Sequence, residues 1–287
     1  MRRLGRRAWI FGAAGCLTLA LLAAVGCSML ADGFAPAVAT PEMARQALAS
    51  RWAPAADGLR VHYVAAGDLA APRRVLFVHG SPGTWEAWRG YLTDAALARD
   101  AALFAVDRPG FGGTARGRAE GSLERQAAAL AAVLDREGGR PAVVAGHSLG
   151  GPIAARLAID RPDLVHGLLL VAPSIDPELE KRRWFNVAGS LRVVQWFLGV
   201  DWIASNREIW PLRGELAAMA SRLDEIRAPV VVVQGEKDEL VDPANADFVA
   251  RTFTGATVEV ERIPELGHFL LWQRPELVRT ALARLLD

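Results

Sequence analysis

The amino-acid sequence predicts an α/β fold, an open, mostly parallel, doubly wound sheet with a small helical insertion. Short β-branched or apolar runs at residues 59–64, 75–78, 101–106, 142–145, 168–171, 230–233 and 258–263 alternate with helical patterns. That alternation implies parallel strands joined by helical crossovers. Several runs are continuously apolar, as strands covered by helices on both faces require. With 287 residues, 52% hydrophobic and 23% charged, the chain can bury a sizeable core.

Taken in order, the chain opens on Arg2, Arg3, Arg6 and Arg7, followed by an uncharged stretch over residues 8–31. Residues 1–31 are expected to be a signal or anchor segment. A signal peptide needs an apolar region of roughly 7 to 15 residues and a spanning helix about 20, and this stretch accommodates either. Ala24-Val25-Gly26-Cys27 resembles a lipobox, and Arg6-Arg7-Ala8-Trp9-Ile10 is similar to a twin-arginine signal. Lipoprotein with a lipidated Cys27, cleaved secretory signal and uncleaved anchor all stay open. Each would place the folded part outside the cytoplasm, in the cell envelope, and an uncleaved anchor or a lipidated Cys27 would add membrane attachment.

Residues 32–57, with Pro36, Pro41 and Pro54 around an amphipathic piece at 42–52, read as a linker and lead-in helix. The domain proper is expected over 58–287. Within it, the stretch between Pro173 and about Pro211 carries Trp184, Phe185, Trp196, Phe197, Trp202 and Trp210 with no strand run. A helical lid at about 174–211 is expected over the strand ends. Its aromatics either pack the lid onto the core or face a ligand.

Charge and cysteine content exclude several functions. The net charge is +1, and without the four N-terminal arginines it is −3, so no basic surface for nucleic acid is expected. Cys16 and Cys27 both lie in the first segment, which leaves the domain without a disulfide framework, a thiolate metal site or a cysteine nucleophile. No phosphate loop, dinucleotide fingerprint or clustered metal-ligand set appears, so no cofactor and no metal are expected.

The chemistry is carried by Gly146-His147-Ser148-Leu149-Gly150-Gly151, directly after the run at 142–145 and before a helical pattern containing Ile153 and Leu157. Glycines two residues either side of a serine permit a sharp strand-to-helix turn that exposes the hydroxyl. The Leu149 amide would then lie at a helix N-terminus, which favours developing negative charge. A serine hydroxyl needs a base within reach, itself oriented by a third group. His268 follows the last strand run, and Asp238 follows the run at 230–233. In an open α/β sheet, groups just after different strands converge at the carboxyl edge. A loop aspartate alone is ordinarily a turn former or helix cap. The order serine, aspartate, histidine on three such loops raises Ser148, Asp238 and His268 above that reading.

From about Leu59 to Leu286 the chain resembles the α/β-hydrolase superfamily, whose triad runs in that order. His79-Gly80-Ser81-Pro82-Gly83 is similar to the family's oxyanion-loop motif, and Asp107-Arg108-Pro109-Gly110-Phe111-Gly112 resembles a turn of the lid-bearing branch with epoxide hydrolases and haloalkane dehalogenases. The resemblance implies that the backbone amides of Ser81 and Leu149 form the oxyanion hole. Those lid-bearing relatives carry an aspartate at the elbow, so Ser148 points to acyl transfer instead. The implied activity is a serine hydrolase cleaving an ester or related acyl bond of a small, fairly apolar substrate. C–C bond, thioester or amide hydrolysis, perhydrolysis, and ligand binding without turnover are the alternatives. Asp176 competes with Asp238 for the acid, because some members place it after the preceding strand. The resemblance gives His79 and His147 supporting roles, whereas His62 and His166 carry no partner signal.

Overall fold

The computed structural model describes residues 40, 43, 46–181 and 183–287. The expected signal or anchor segment over 1–31, with Cys27, lies outside the described residues. Eight strands form one sheet: β1 (Ala49–Pro54), β2 (Arg60–Gly67), β3 (Arg73–Val78), β4 (Ala101–Val106), β5 (Ala142–His147), β6 (Val165–Val171), β7 (Val230–Gly235) and β8 (Val258–Ile263). Their order is β1-β2-β4-β3-β5-β6-β7-β8. β2 runs antiparallel to β1 and β4, and the remaining pairs are parallel. The order reverses around β3, which lies between β4 and β5, so a crevice forms beyond the carboxyl ends of β3 and β5.

The helices are α1 (Arg89–Leu92), α2 (Ala95–Asp100), α3 (Leu123–Arg136), α4 (Gly150–Asp160), α5 (Trp184–Ser190), α6 (Arg192–Gln195), α7 (Val200–Ala220), α8 (Asn245–Thr252), α9 (Leu270–Gln273) and α10 (Pro275–Leu286). Two apolar cores sandwich the sheet. Leu76 and Val78 of β3 and Val144 of β5 face α3, α4 and α8. Val75, Phe77, Val143 and Ala145 face Trp88, Tyr91 and the Val278, Ala281, Leu282 stripe of α10. Alternate residues of one strand thus serve opposite layers, which is why β3 and β5 read as unbroken apolar runs.

The expected lead-in helix needs correction. Ala49–Pro54 is an edge strand, paired in register Pro54↔Arg60 to Ala49↔Ala65 with β2. Asp57 and Gly58 adopt left-handed backbone at φ 55° and 72°, reversing the chain between the two strands. An aspartate-glycine turn is a hairpin signal. The sheet therefore begins before residue 58.

Between β6 and β7 the chain forms α5, α6 and α7. The last runs through Pro211 to Ala220, beyond the boundary expected at 211, with Leu212, Leu216 and Met219 buried in the core. That burial offsets the hydrogen bond lost at the proline.

Candidate active site

β5 ends at His147, and Ser148 takes φ 53°, a left-handed conformation that costs a non-glycine residue about 1 kcal/mol. α4 starts two residues later. A Cβ on Gly146 would stand 2.3 Å from the Gly150 carbonyl oxygen, and one on Gly150 2.5 Å from that of Val78. Only glycine fits either place, so the spacing around the serine is a steric requirement of the turn. The serine backbone is pinned where Ser148 donates to Val171 O at 3.0 Å and Gly151 donates to Ser148 O at 2.9 Å.

The loop after β3 lies against this elbow. A Cβ on Gly80 would meet Ser148 Cβ at 3.0 Å. Neither the Ser81 amide nor the Leu149 amide finds an acceptor among the described residues. Two adjacent uncommitted N–H donors, one at the N-terminus of α4, suit a developing oxyanion.

His268 and Asp238 meet on the loops after β8 and β7. Nδ1 of His268 lies 2.8 Å from Oδ2 of Asp238, and both groups are buried. Oδ1 of Asp238 accepts from the amides of Leu240 at 2.9 Å and Val241 at 2.8 Å. A carboxylate satisfied by donors on both oxygens fixes the proton of His268 on Nδ1 and leaves Nε2 free to accept. Asp176 is engaged elsewhere. Its Oδ1 accepts from Glu178 N at 2.8 Å, and its own amide donates to Asn245 Oδ1.

His147 and His79 are supports. His147 donates from Nε2 to His268 O at 3.1 Å, and burial, then the neighbouring His268, lowers its pKa to about 3, so it is neutral at pH 7. His79 accepts from the Arg108 amide on Nε2 at 3.0 Å, which leaves Nδ1–H to donate to Gly80 O at 2.7 Å. Burial and the adjacent Arg108 push its pKa well below the usual imidazole value. The Ser174 amide lies 3.4 Å from Ser148 O. Ser174 donates to Glu180 Oε2 at 2.6 Å, and burial raises this carboxyl.

The fully buried Arg108 organises the loop after β3, a role that left no signal in the sequence. Its Nε donates to His79 O at 2.9 Å and its Nη2 to Gly80 O at 2.8 Å. The remaining donors go to Gln126 Oε1 on α3 and, bidentate at 2.8 and 3.0 Å, to Glu208 on α7. All five guanidinium N–H groups are thereby satisfied, the condition under which a buried ion pair is tolerated. The long helix α7 is tied through Arg108 to the carbonyls preceding Ser81, and Ser81 Oγ donates directly to Ser205 Oγ on α7 at 2.8 Å. A partner 100 residues away along the chain leaves no spacing signature.

His62, which the sequence left without a partner, has two. Its Nδ1 lies 2.7 Å from Asp107 Oδ2 and its Nε2 2.8 Å from Ser50 Oγ. Asp107 also accepts from the amides of Trp85 and Gly113, each at 2.8 Å. A second serine, histidine and aspartate are thus in line, at the β1–β2 edge of the sheet. Among the described residues no group of three or more His, Cys, Asp or Glu side chains could hold a metal ion.

The family model described as alpha/beta hydrolase family matches residues 75–281, and the chain belongs to that family. It is 38% identical over 117 residues to the dihydrolipoyllysine-residue acetyltransferase component of the acetoin cleaving system of Cupriavidus necator, covering 41% of this chain and 30% of that protein. It is 35% identical over 108 residues to lipase LipV of Mycobacterium tuberculosis, covering 37% of this chain and 39% of the lipase. The matches thus span about a third of each relative's length. In fold it is similar to Est816, described as an N-acyl homoserine lactone degrading enzyme, with TM-score 0.61 and 22% identity over 82% of this chain and 99% of that one.

Proposed function

We propose that the protein is a serine hydrolase that cleaves an ester or related acyl bond of a small, fairly apolar substrate through an acyl-enzyme on Ser148. The reading rests above all on one observation, the left-handed Ser148 at the strand-to-helix turn beside two uncommitted amides. The Asp238–His268 pair on adjoining strand-end loops supports it. Lipase LipV and Est816, an N-acyl homoserine lactone degrading enzyme, agree by name with acyl-bond cleavage.

In this mechanism Nε2 of His268 takes the Ser148 hydroxyl proton as Oγ attacks the substrate carbonyl. Asp238 holds Nδ1–H in place and stabilises the imidazolium. The amides of Ser81 and Leu149 donate to the oxyanion, each worth about 3 kcal/mol in a water-poor site. Collapse expels the leaving group, which receives the proton from His268. Water, deprotonated by His268, then attacks the acyl carbon and frees Ser148. We further propose that the domain works outside the cytoplasm, held or exported by the N-terminal segment with Cys27 as a lipidation site.

Replacement of Ser148 by Ala is expected to lower kcat on a p-nitrophenyl ester by about 10⁴-fold or more. Steady-state hydrolysis by the purified variant checks this, and undiminished turnover would sink the proposal.

A further inference from the structure

The lid has two layers of opposite character. α7 is fastened to the body by Arg108–Glu208, by Ser81–Ser205 and by Arg116, whose Nη2 reaches Asp201 at 2.7 Å. α5 is joined to α7 by a reciprocal pair, Asn186 Nδ2 to Asn206 Oδ1 and Asn206 Nδ2 to Asn186 O, both 3.1 Å, and α6 is joined to α5 where Gln195 Nε2 donates to Gly189 O. Beyond them lies water. Trp184 and Trp196 are 81% and 82% exposed, and Phe185, Leu191, Val193 and Phe197 are exposed with them. Isolated exposed apolar residues need no explanation, but this many within residues 184–197, on two consecutive short helices and the turns that follow them, form a patch of the kind that marks an interaction surface.

The charge around the patch narrows the partner. Residues 181–200 contain Lys181, Arg182, Arg183 and Arg192 and no acidic residue. The rest of residues 32–287 carries a net charge of −7. The apolar helices are therefore the one stretch where basic residues without acidic ones flank tryptophan and phenylalanine in an otherwise acidic domain. Indole rings favour the boundary between headgroups and acyl chains, and basic residues beside them add attraction to anionic lipid.

We propose that the outer face of α5 and α6 docks on an anionic lipid bilayer. The competing occupants fit less well. A second copy docked face to face would oppose the same exposed basic residues, Lys181, Arg183 and Arg192, and the chain's own N-terminal segment would bring Arg2, Arg3, Arg6 and Arg7 against them. The docking face is also continuous with the site. Arg183 Nη2 donates to Glu239 O and Leu240 O, each at 2.8 Å, on the loop that carries Asp238. Leu240 and Phe269, which adjoins His268, are half-exposed on the same rim. Docking turns the catalytic loops toward the bilayer, yet it does not depend on the serine chemistry.

The test is photo-crosslinking of the full chain to vesicles containing a lipid with a photoreactive acyl chain, followed by tryptic mapping. Phosphatidylcholine vesicles are compared with vesicles of about one-third phosphatidylglycerol. Adducts are expected in the peptides 184–192 and 193–207, at least about fivefold more with phosphatidylglycerol. Trp184→Ser with Trp196→Ser should remove them. Arg192→Glu, a surface change that leaves the core intact, should cut them while hydrolysis of a soluble ester stays unchanged. Adducts confined to peptides before residue 40, equal labelling from both vesicles, or crosslinks joining two copies through these peptides would each overturn the docking surface. Ester hydrolysis on a soluble substrate, measured on the same samples, separates a failure of docking from a failure of the catalytic reading.

Discussion

Ser148 and Ser50 each share a region with a histidine and an aspartate, and the arrangement with more hydrogen bonds is the one without the means to react. Ser50, His62 and Asp107 form a closed chain at 2.8 and 2.7 Å. At the other site, the hydrogen bond is between His268 and Asp238. What distinguishes Ser148 is its left-handed backbone and the two free amides beside it. Ser50 sits in a regular strand, opposite Val64, with no strand-to-helix turn and no helix N-terminus beside it. A serine–histidine–aspartate line is thus a strut when its members are fully bonded to one another. It becomes a reactive site where donors are held in reserve for a charge that has not yet formed.

Parallel substitutions of the two aspartates sharpen the contrast most. Asp238→Asn is expected to lower kcat by about 10³- to 10⁴-fold, because the amide no longer fixes the imidazole proton, with little change in Tm. Asp107→Asn is expected to destabilise the fold by about 3 kcal/mol, since one carboxylate serves His62, Trp85 and Gly113, while the folded fraction keeps its activity. Thermal unfolding and initial rates on the same preparations check both. Equal losses of activity would erase the distinction.

A pH effect is smaller. His147 has a folded pKa depressed from 6.5 to about 3, so the unfolded chain binds a proton below 6.5 that the folded chain refuses. Stability attributable to this group is therefore full above 6.5 and is lost as the pH falls toward 3. Wild type should lose more Tm between about pH 7 and pH 4 than His147→Gln does. Parallel losses would show that His147 does not carry the effect.

The smallest effect belongs to the second serine. Ser50→Ala should cost about 1 kcal/mol of stability and change kcat less than about twofold, as read from chemical denaturation and ester hydrolysis.

Much of this was legible in the sequence, and the reason is local. The strands β3 to β7 announce themselves as apolar runs, because both sheet faces are covered, and partly buried β8 as a β-branched run that alternates Val258-Glu259-Val260-Glu261. Ser148, Asp238 and His268 each follow such a run, so topology alone gathers them at one edge. The β1–β2 hairpin was missed because its signal, Asp57-Gly58, falls in a stretch rich in proline and alanine that looked like a linker. Pairing over long distances left no trace at all. His62 and Asp107 are 45 residues apart, and Ser81 and Ser205 are 124 apart, with no motif linking either pair. The signal or anchor segment expected over residues 1–31 lies outside the residues the structure describes.

The most direct test of the claim that reserve donors and a strained elbow single out the reactive serine is fluorophosphonate labelling with peptide mapping. Wild type, Ser148→Ala and Ser50→Ala would be compared side by side. One adduct on Ser148 is expected, unchanged in Ser50→Ala and absent in Ser148→Ala. An adduct on Ser50, or labelling that survives loss of Ser148, would contradict it.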